Sequence, residues 1–246
     1  MSSVGSETHP VLSDVQHCLR RPDMFIGSVT PQETDYWEFV REESAADDGA
    51  DPAASKVRYT VRPARTTVPP ALSQLFLEIA TNATDQAARP GTGVRNIKVT
   101  MDADTGRIVV WNDGAGIPVR RHQEMTESWL PTVIFSEFRC GQNFDDTAER
   151  RGAGRNGYGA KCTNAWSREF SVETADGEHV FQQTWRDNLD YASPPSVKTH
   201  ARKTGYTKIT FVPDYARLGV ADIGEAVRYL RTFVWHLCPV TDPKVS

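Results

Sequence analysis

The chain has 246 residues, 39% hydrophobic and 24% charged, with a net charge of −4. That balance suits one large soluble globular domain or two small ones, and the negative charge does not mark a nucleic-acid binder. No apolar run is long enough to span a membrane, and the start "MSSVGSETHPVLSDV" lacks the basic-then-apolar pattern of a secretory signal, so an intracellular protein is expected.

Residues 1–13 read as a flexible lead. "DVQHCLRRPDMFIGS" begins as a short helix that must stop before Pro22. Residues 33–51 hold eight acids and one base, leaving 27 bases against 24 acids elsewhere. This stretch is expected to be a solvated, acidic excursion, with a loop over 41–56. "KVRYTVRPAR" reads as a strand. "PALSQLFLEIATNATDQAA", between Pro69–Pro70 and Pro90–Gly91, reads as a helix. On its wheel Leu72, Phe76, Ile79 and Ala83 form a core face, and Glu78, Asn82 and Asp85 share the neighbouring one.

"RNIKVTM" and "RIVVWN", joined by "DADTG", predict a β-hairpin, and "EFSVETADGEHVFQQTWR" predicts a second one turning at Ala175–Gly177. "GYTKITFVPD" is a late strand, and "ADIGEAVRYLRTFVWHLC" a closing helix with Ile223, Val227, Leu230, Val234 and Leu237 on its apolar face. Hairpins rather than strict β-α-β alternation predict an α/β (α+β) two-layer sandwich, with a mixed, mostly antiparallel sheet and helices on one face. Cys18, Cys140, Cys162 and Cys238 are widely spaced, with no C-x-x-C pair, and are expected to be reduced thiols.

Three segments carry candidate chemistry. "RGAGRNGYGAKCTNAW" satisfies G-x-G-x-x-G, but the polar "GQNFDDTAERR" precedes it where a dinucleotide fold needs a strand. It also fails as a Walker loop, because Ala160 separates Gly159 from Lys161 and Cys162 replaces the magnesium-binding hydroxyl. What remains is a glycine-rich loop whose N–H groups can approach an anion, with Lys161 as a fixed charge; a plain surface loop fits equally. Glu78-x-x-x-Asn82 shares a helix face, where a carboxylate can activate water and an amide can bind Mg²⁺; two exposed polar residues are the simpler alternative. Asn112-Asp113-Gly114-Ala115-Gly116 ends a strand with glycines that let a base approach the backbone, or is an ordinary turn.

In combination, "LEIATNATD", "WNDGAGIP", "GRNGYGAK" and "GYTKITFVPD" resemble the Bergerat ATP-binding fold of the GHKL superfamily. With "LRRPDMFIGSV" as an arm, the resemblance narrows to the eukaryotic-type DNA topoisomerase II ATPase, over roughly residues 15–240. It implies an N-terminal arm over 1–35, the ATPase domain over 36–240, and the start of a transducer over 241–246. It implies Glu78 as general base, Asn82 as Mg²⁺ ligand, Asn112 as the adenine reader, and Thr210 as the threonine under the adenine. Asn143 matches a ribose and phosphate contact, although Gly141 and Gln142 depart from the family's serines. Gly154, Arg155, Asn156, Gly157, Tyr158, Gly159, Ala160 and Lys161 match the ATP lid.

The implied cofactors are ATP and Mg²⁺, and the implied partners are DNA, through the full-length enzyme, and a second subunit reached by the arm when ATP binds. The implied function is an ATP-driven gate for double-strand DNA passage, in the nucleus or in a virus and its host cell. Alternatives are a free-standing GHKL module and a chaperone- or kinase-type ATPase. A fragment without the transducer is expected to bind nucleotide and turn it over poorly.

Overall fold

The computed structural model describes residues 11–43, 57–138, 157–238 and 241. The first element, α1 (Asp14–Arg20), opens with a capping box in which Ser13 and Gln16 exchange hydrogen bonds. It stops where Pro22 would clash, and a 3-10 turn (Pro22–Met24) carries the chain on to Ile26, which is buried.

Two long strands follow, β1 (Gln32–Glu43) and β2 (Val57–Val68), paired antiparallel as a separate two-stranded ribbon. This corrects the expected acidic excursion: residues 32–43 are strand, and two of its acids face arginines across it. Glu38 lies opposite Arg62, with 2.7 Å between the charged groups, and Asp35 lies opposite Arg65 at 2.6 Å. Residues 44–56, the rest of that expected loop, lie outside the described residues.

Helix α2 (Pro70–Ala88) starts at the proline pair and buries Leu72, Phe76, Ile79 and Ala83, as the wheel requires. It lies on a seven-stranded sheet formed by β3 (Ile97–Met101), β4 (Ile108–Asp113), β5 (Ser167–Ala175), β6 (His179–Arg186), β7 (Tyr191–Ala192), β8 (Ser196–Thr199) and β9 (Tyr206–Pro213). The order is β3-β4-β9-β5-β6, with short β7 and β8 both on the outer edge of β6. Every pairing among the described residues is antiparallel, so the expected mixed sheet is antiparallel throughout. The last strand is inserted between the two hairpins, so β9 joins halves of the sheet that are far apart in sequence.

One face of the sheet is apolar: Ile108 and Val110, Phe170 and Val172, Phe181 and Trp185, and Ile209 and Phe211 point to the helices. Fully burying each such side chain contributes roughly 1.5–3 kcal/mol. The helical layer is completed by α3 (Leu130–Ser136), α4 (Gly159–Ala165) and α5 (Ile223–Leu237). Asp222 caps α5 through the Glu225 N–H, and the helix packs between α2 and the ribbon with Val227 and Leu230 fully buried.

Candidate functional site

Helix α2 presents Gln74, Glu78, Asn82 and Gln86 at every fourth position, so they run down one side of the helix. Gln74 Nε2 donates to Glu78 Oε1 at 2.5 Å, which fixes the carboxylate from one side. Gly159, the first residue of α4, closes the other: a Cβ placed there would stand 1.7 Å from Glu78 Oε2. Only glycine leaves room for the carboxylate. The α4 N-terminus is also where unpaired N–H groups favour negative charge.

α4 is anchored where it stands. Thr163 Oγ1 donates to Leu75 O of α2 at 3.0 Å, and Asn164 Nδ2 donates to Phe135 O of α3 at 3.0 Å. Tyr158, just before it, packs edge-on against Phe25 with ring centres 6.4 Å apart, so the N-terminal segment leans on the start of this helix. Ala160 is buried, Gly157 exposed and Tyr158 half-buried. Lys161 is 1% exposed, so its ammonium is enclosed here rather than standing in an open loop.

Two turns beyond Glu78, about 12 Å along the axis, Gln86 Nε2 donates to Ala115 O at 3.3 Å. This ties α2 to the end of β4. There Asn112 is 5% exposed and on the helix-covered face, in phase with Ile108 and Val110. Its Nδ2 donates to Asp113 O at 2.9 Å, which sets the amide's orientation and leaves Oδ1 as the acceptor. Asp113 turns away and accepts from Arg95 N, Asn96 N and Asn96 Nδ2 at 2.7, 2.9 and 2.6 Å. Burial would raise its carboxyl, but these bonds outweigh it and hold the group below the usual carboxylate range.

The register across the sheet changes one assignment. Thr207, not Thr210, lies directly opposite Asn112. Thr210 pairs with Val109 and Ser171 on the other face of the sheet, away from the helices and Glu78. Thr207 Oγ1 is 3.2 Å from Thr174 Oγ1. The Thr174 hydroxyl already donates to Tyr206 O at 2.9 Å, so Thr207 is the donor of that pair. Alternation alone could have found this residue, because Thr207 is in phase with Ile209 and Phe211. Gln74 was within reach too, being four residues before Glu78.

The glycines after Asn112 let neighbouring backbone approach closely. A Cβ at Gly116 would meet Ala175 O at 1.9 Å, and one at Gly114, where φ is +91°, would meet Thr92 O at 2.6 Å. Backbone of the Thr92–Val94 loop and of β5 and β9 occupies the positions a side chain would take at these glycines. Asn82 is exposed and Asp85 half-buried on the same side as Glu78. Asn143, Gly154, Arg155 and Asn156 lie outside the described residues.

Among the described residues no group of three His, Cys, Asp or Glu is placed to hold a metal. An open concavity of about 540 Å³ on the ribbon, lined by Asp35, Trp37, Pro63 and Arg65, is remote from this chemistry. No helix of the described residues is long and apolar enough to cross a membrane.

Residues 67–217 match the family model for histidine kinase-, DNA gyrase B- and HSP90-like ATPases. The chain is 36% identical over 237 residues to DNA topoisomerase 2 of Candida albicans, covering 95% of this chain and 15% of that protein. It is 34% identical over 234 residues to DNA topoisomerase 2 of Acanthamoeba polyphaga mimivirus, covering 94% and 17%. It thus spans about a sixth of the length of these relatives. The crystal structure of the ATPase region of Saccharomyces cerevisiae topoisomerase II superposes with a TM-score of 0.78 at 32% identity, covering 94% of this chain and 57% of that one. The ATPase and transducer domains of DNA topoisomerase II from Balamuthia mandrillaris give 0.72 at 35% identity, covering 91% and 56%. The antiparallel sheet, the helix bearing Glu78 and Asn82, and the strand end at Asn112 are thus parts of one known arrangement, and the chain belongs to the histidine kinase-, DNA gyrase B- and HSP90-like ATPase family.

Proposed function

We propose that this chain is the ATP-binding and hydrolysing gate domain of a type II DNA topoisomerase. The observation that carries the reading is the α2 stripe: a carboxylate held between Gln74 and Gly159 at one end, and an oriented amide acceptor at Asn112 by the other. A nucleoside triphosphate laid along that stripe puts its base at Asn112 and Thr207 and its phosphates toward Glu78 and α4. Asn112 Oδ1 accepts from the exocyclic amine of adenine, which selects it over a base bearing a carbonyl there.

Glu78 takes the proton of an attacking water. Gln74 keeps the Glu78 carboxylate pointed, because its amide holds Oε1. Asn82, one turn on and exposed, offers an amide oxygen that fits a magnesium ion whose other ligands are phosphate oxygens and water. When bound, that ion neutralises phosphate charge. Lys161 adds a cation on α4, with Asn143 and the lid residues Gly154, Arg155, Asn156, Gly157, Tyr158, Gly159 and Ala160 completing the phosphate side.

The similarity to topoisomerases over nearly the whole chain, the arm included, supports action on DNA by a dimer whose subunits close on ATP. It supports a place in the nucleus or, as in the mimivirus relative, in a virus. Residues 1–35 as arm, 36–240 as ATPase domain and 241–246 as the lead into a transducer complete this reading. The test is Glu78→Ala: ATP affinity should stay within about threefold, while turnover falls by roughly 10²–10⁴. Unchanged turnover would remove Glu78 from the chemistry.

A further inference from the structure

The helix-covered face of the sheet is apolar in two cross-strand rows, Ile108–Phe211–Phe170 and Val110–Ile209–Val172, each drawn from β4, β9 and β5. The next row on the same face is Asn112–Thr207–Thr174, polar on all three strands. Polar side chains set side by side in such a face satisfy one another or a ligand. The row begins with the candidate base reader, and its last member, Thr174, is 0% exposed. Enclosed in this way, Thr174 acts only through its neighbours.

The hydrogen bonds of Thr174 set the direction of the proton beside it. A hydroxyl has one hydrogen to give and two lone pairs to offer. The Thr174 hydrogen goes to Tyr206 O at 2.9 Å, because a carbonyl only accepts. One lone pair takes the Ile117 N–H at 2.9 Å, because a backbone amide only donates. What remains for Thr207 Oγ1, at 3.2 Å, is a lone pair, so the Thr207 hydrogen is drawn to Thr174. Thr174 is then saturated, and Thr207 is left with acceptor capacity alone.

We propose that Thr174 is a specificity-determining positioning residue. By holding the Thr207 hydroxyl proton it makes Thr207 a second acceptor beside Asn112 Oδ1, and the row selects a base with an exocyclic amine over one with a carbonyl. The proposal rests on the reading of this site as a nucleotide site. With its hydroxyl free to turn, Thr207 would donate to a carbonyl as readily as it accepts from an amine, and Asn112 would discriminate alone. Held by Thr174, it meets a carbonyl lone pair to lone pair, and polar groups left unpaired in a buried site are costly.

The experiment titrates ATP and inosine triphosphate into the folded chain with Mg²⁺ by calorimetry. The two bases differ in amine against carbonyl and in the ring proton that goes with it. The parent should prefer ATP. Thr174→Val keeps the side-chain shape and removes the acceptor. It should cut the ATP-to-inosine-triphosphate affinity ratio by roughly fivefold, the worth of one ordinary hydrogen bond. Thr174→Ser retains the hydroxyl and should keep the parent ratio. Thr207→Val should also lower the ratio, and adding Thr174→Val to it should change the ratio no further, because Thr174 acts through Thr207. Equal weakening of both nucleotides by Thr174→Val would make Thr174 a purely structural residue and overturn the proposal. If that variant fails to fold, Thr207→Val decides: a lowered ratio supports the proposal and an unchanged one overturns it. A parent that binds neither nucleotide, or both equally, would sink the adenine reading of the site itself, and the proposal with it.

Discussion

Gly159→Ala tests the geometry of the candidate base without touching the base itself. The added methyl would sit 1.7 Å from Glu78 Oε2, where ordinary contact begins at 3.4 Å, so the carboxylate must withdraw by about 1.7 Å. Its three nearest neighbours are atoms of the flexible Glu78 side chain, so the fold can accommodate it. Losing the Gln74–Glu78 bond costs about 1 kcal/mol. Replacing glycine by alanine in a helix returns up to about 1 kcal/mol, so net stability should change by less than about 1 kcal/mol. Activity should not be spared, since a misplacement of about 1 Å can cost on the order of 10²-fold. The assay is ATP turnover at saturation, with nucleotide affinity and urea unfolding measured alongside. Turnover within about twofold of the parent, with Glu78→Ala inactive, would refute the idea that Gly159 sets the carboxylate's position.

Gly116→Ala should do the opposite. Its methyl would meet main-chain oxygens of Ala175 and Tyr206 at 1.9 and 2.8 Å, which cannot swing aside, so unfolding should show a loss of about 1–3 kcal/mol or more. A parent-like melt would contradict that packing. Thr207→Val should weaken nucleotide binding by roughly 1 kcal/mol, about fivefold, while Thr210→Val leaves it unchanged; calorimetry giving the reverse order would restore the sequence-based assignment. Burial would raise both Asp113 and Asp176, but the Asn96 amide and backbone N–H donors at Asp113, and backbone N–H donors at Asp176, hold them low. The stability they add is present above the unfolded value near 3.9 and is lost as pH falls through their lower folded values. Melting followed from pH 6 to pH 2 should drop steeply below about pH 4, and Asp113→Asn should flatten part of that drop; identical profiles would count against it.

The sequence disclosed those parts of the molecule in which pattern and chemistry coincide. Helix α2 was legible because its prolines set its limits and its apolar spacing set its buried side, which placed Glu78 and Asn82 together. Both hairpins of the main sheet were legible from alternation and turns. In the ribbon β2 was legible as a strand but β1 was not, because its acids read as a charged run until the arginines of β2 are placed opposite them. The short strands β7 and β8 flank a Pro-Pro pair and have little pattern of their own. The resemblance implied Thr210, whereas strand phase puts Thr207 opposite Asn112. The close packing at the Asn112 turn was not legible either, because a sequence does not show which backbone passes within 3 Å of Gly114 and Gly116.

The insertion of β9 between β4 and β5 has a consequence for how the domain comes into being. Neither hairpin can complete the sheet alone, since the strand between them is the last to be synthesised. Asn112 gains its opposite number, Thr207, only when that strand docks. Such late, non-local pairing is slow and leaves two strand edges open in the meantime. The chain therefore acquires the base end of its candidate site in the same step that closes its core, so nucleotide-binding competence should rise together with the final folding phase and not before it.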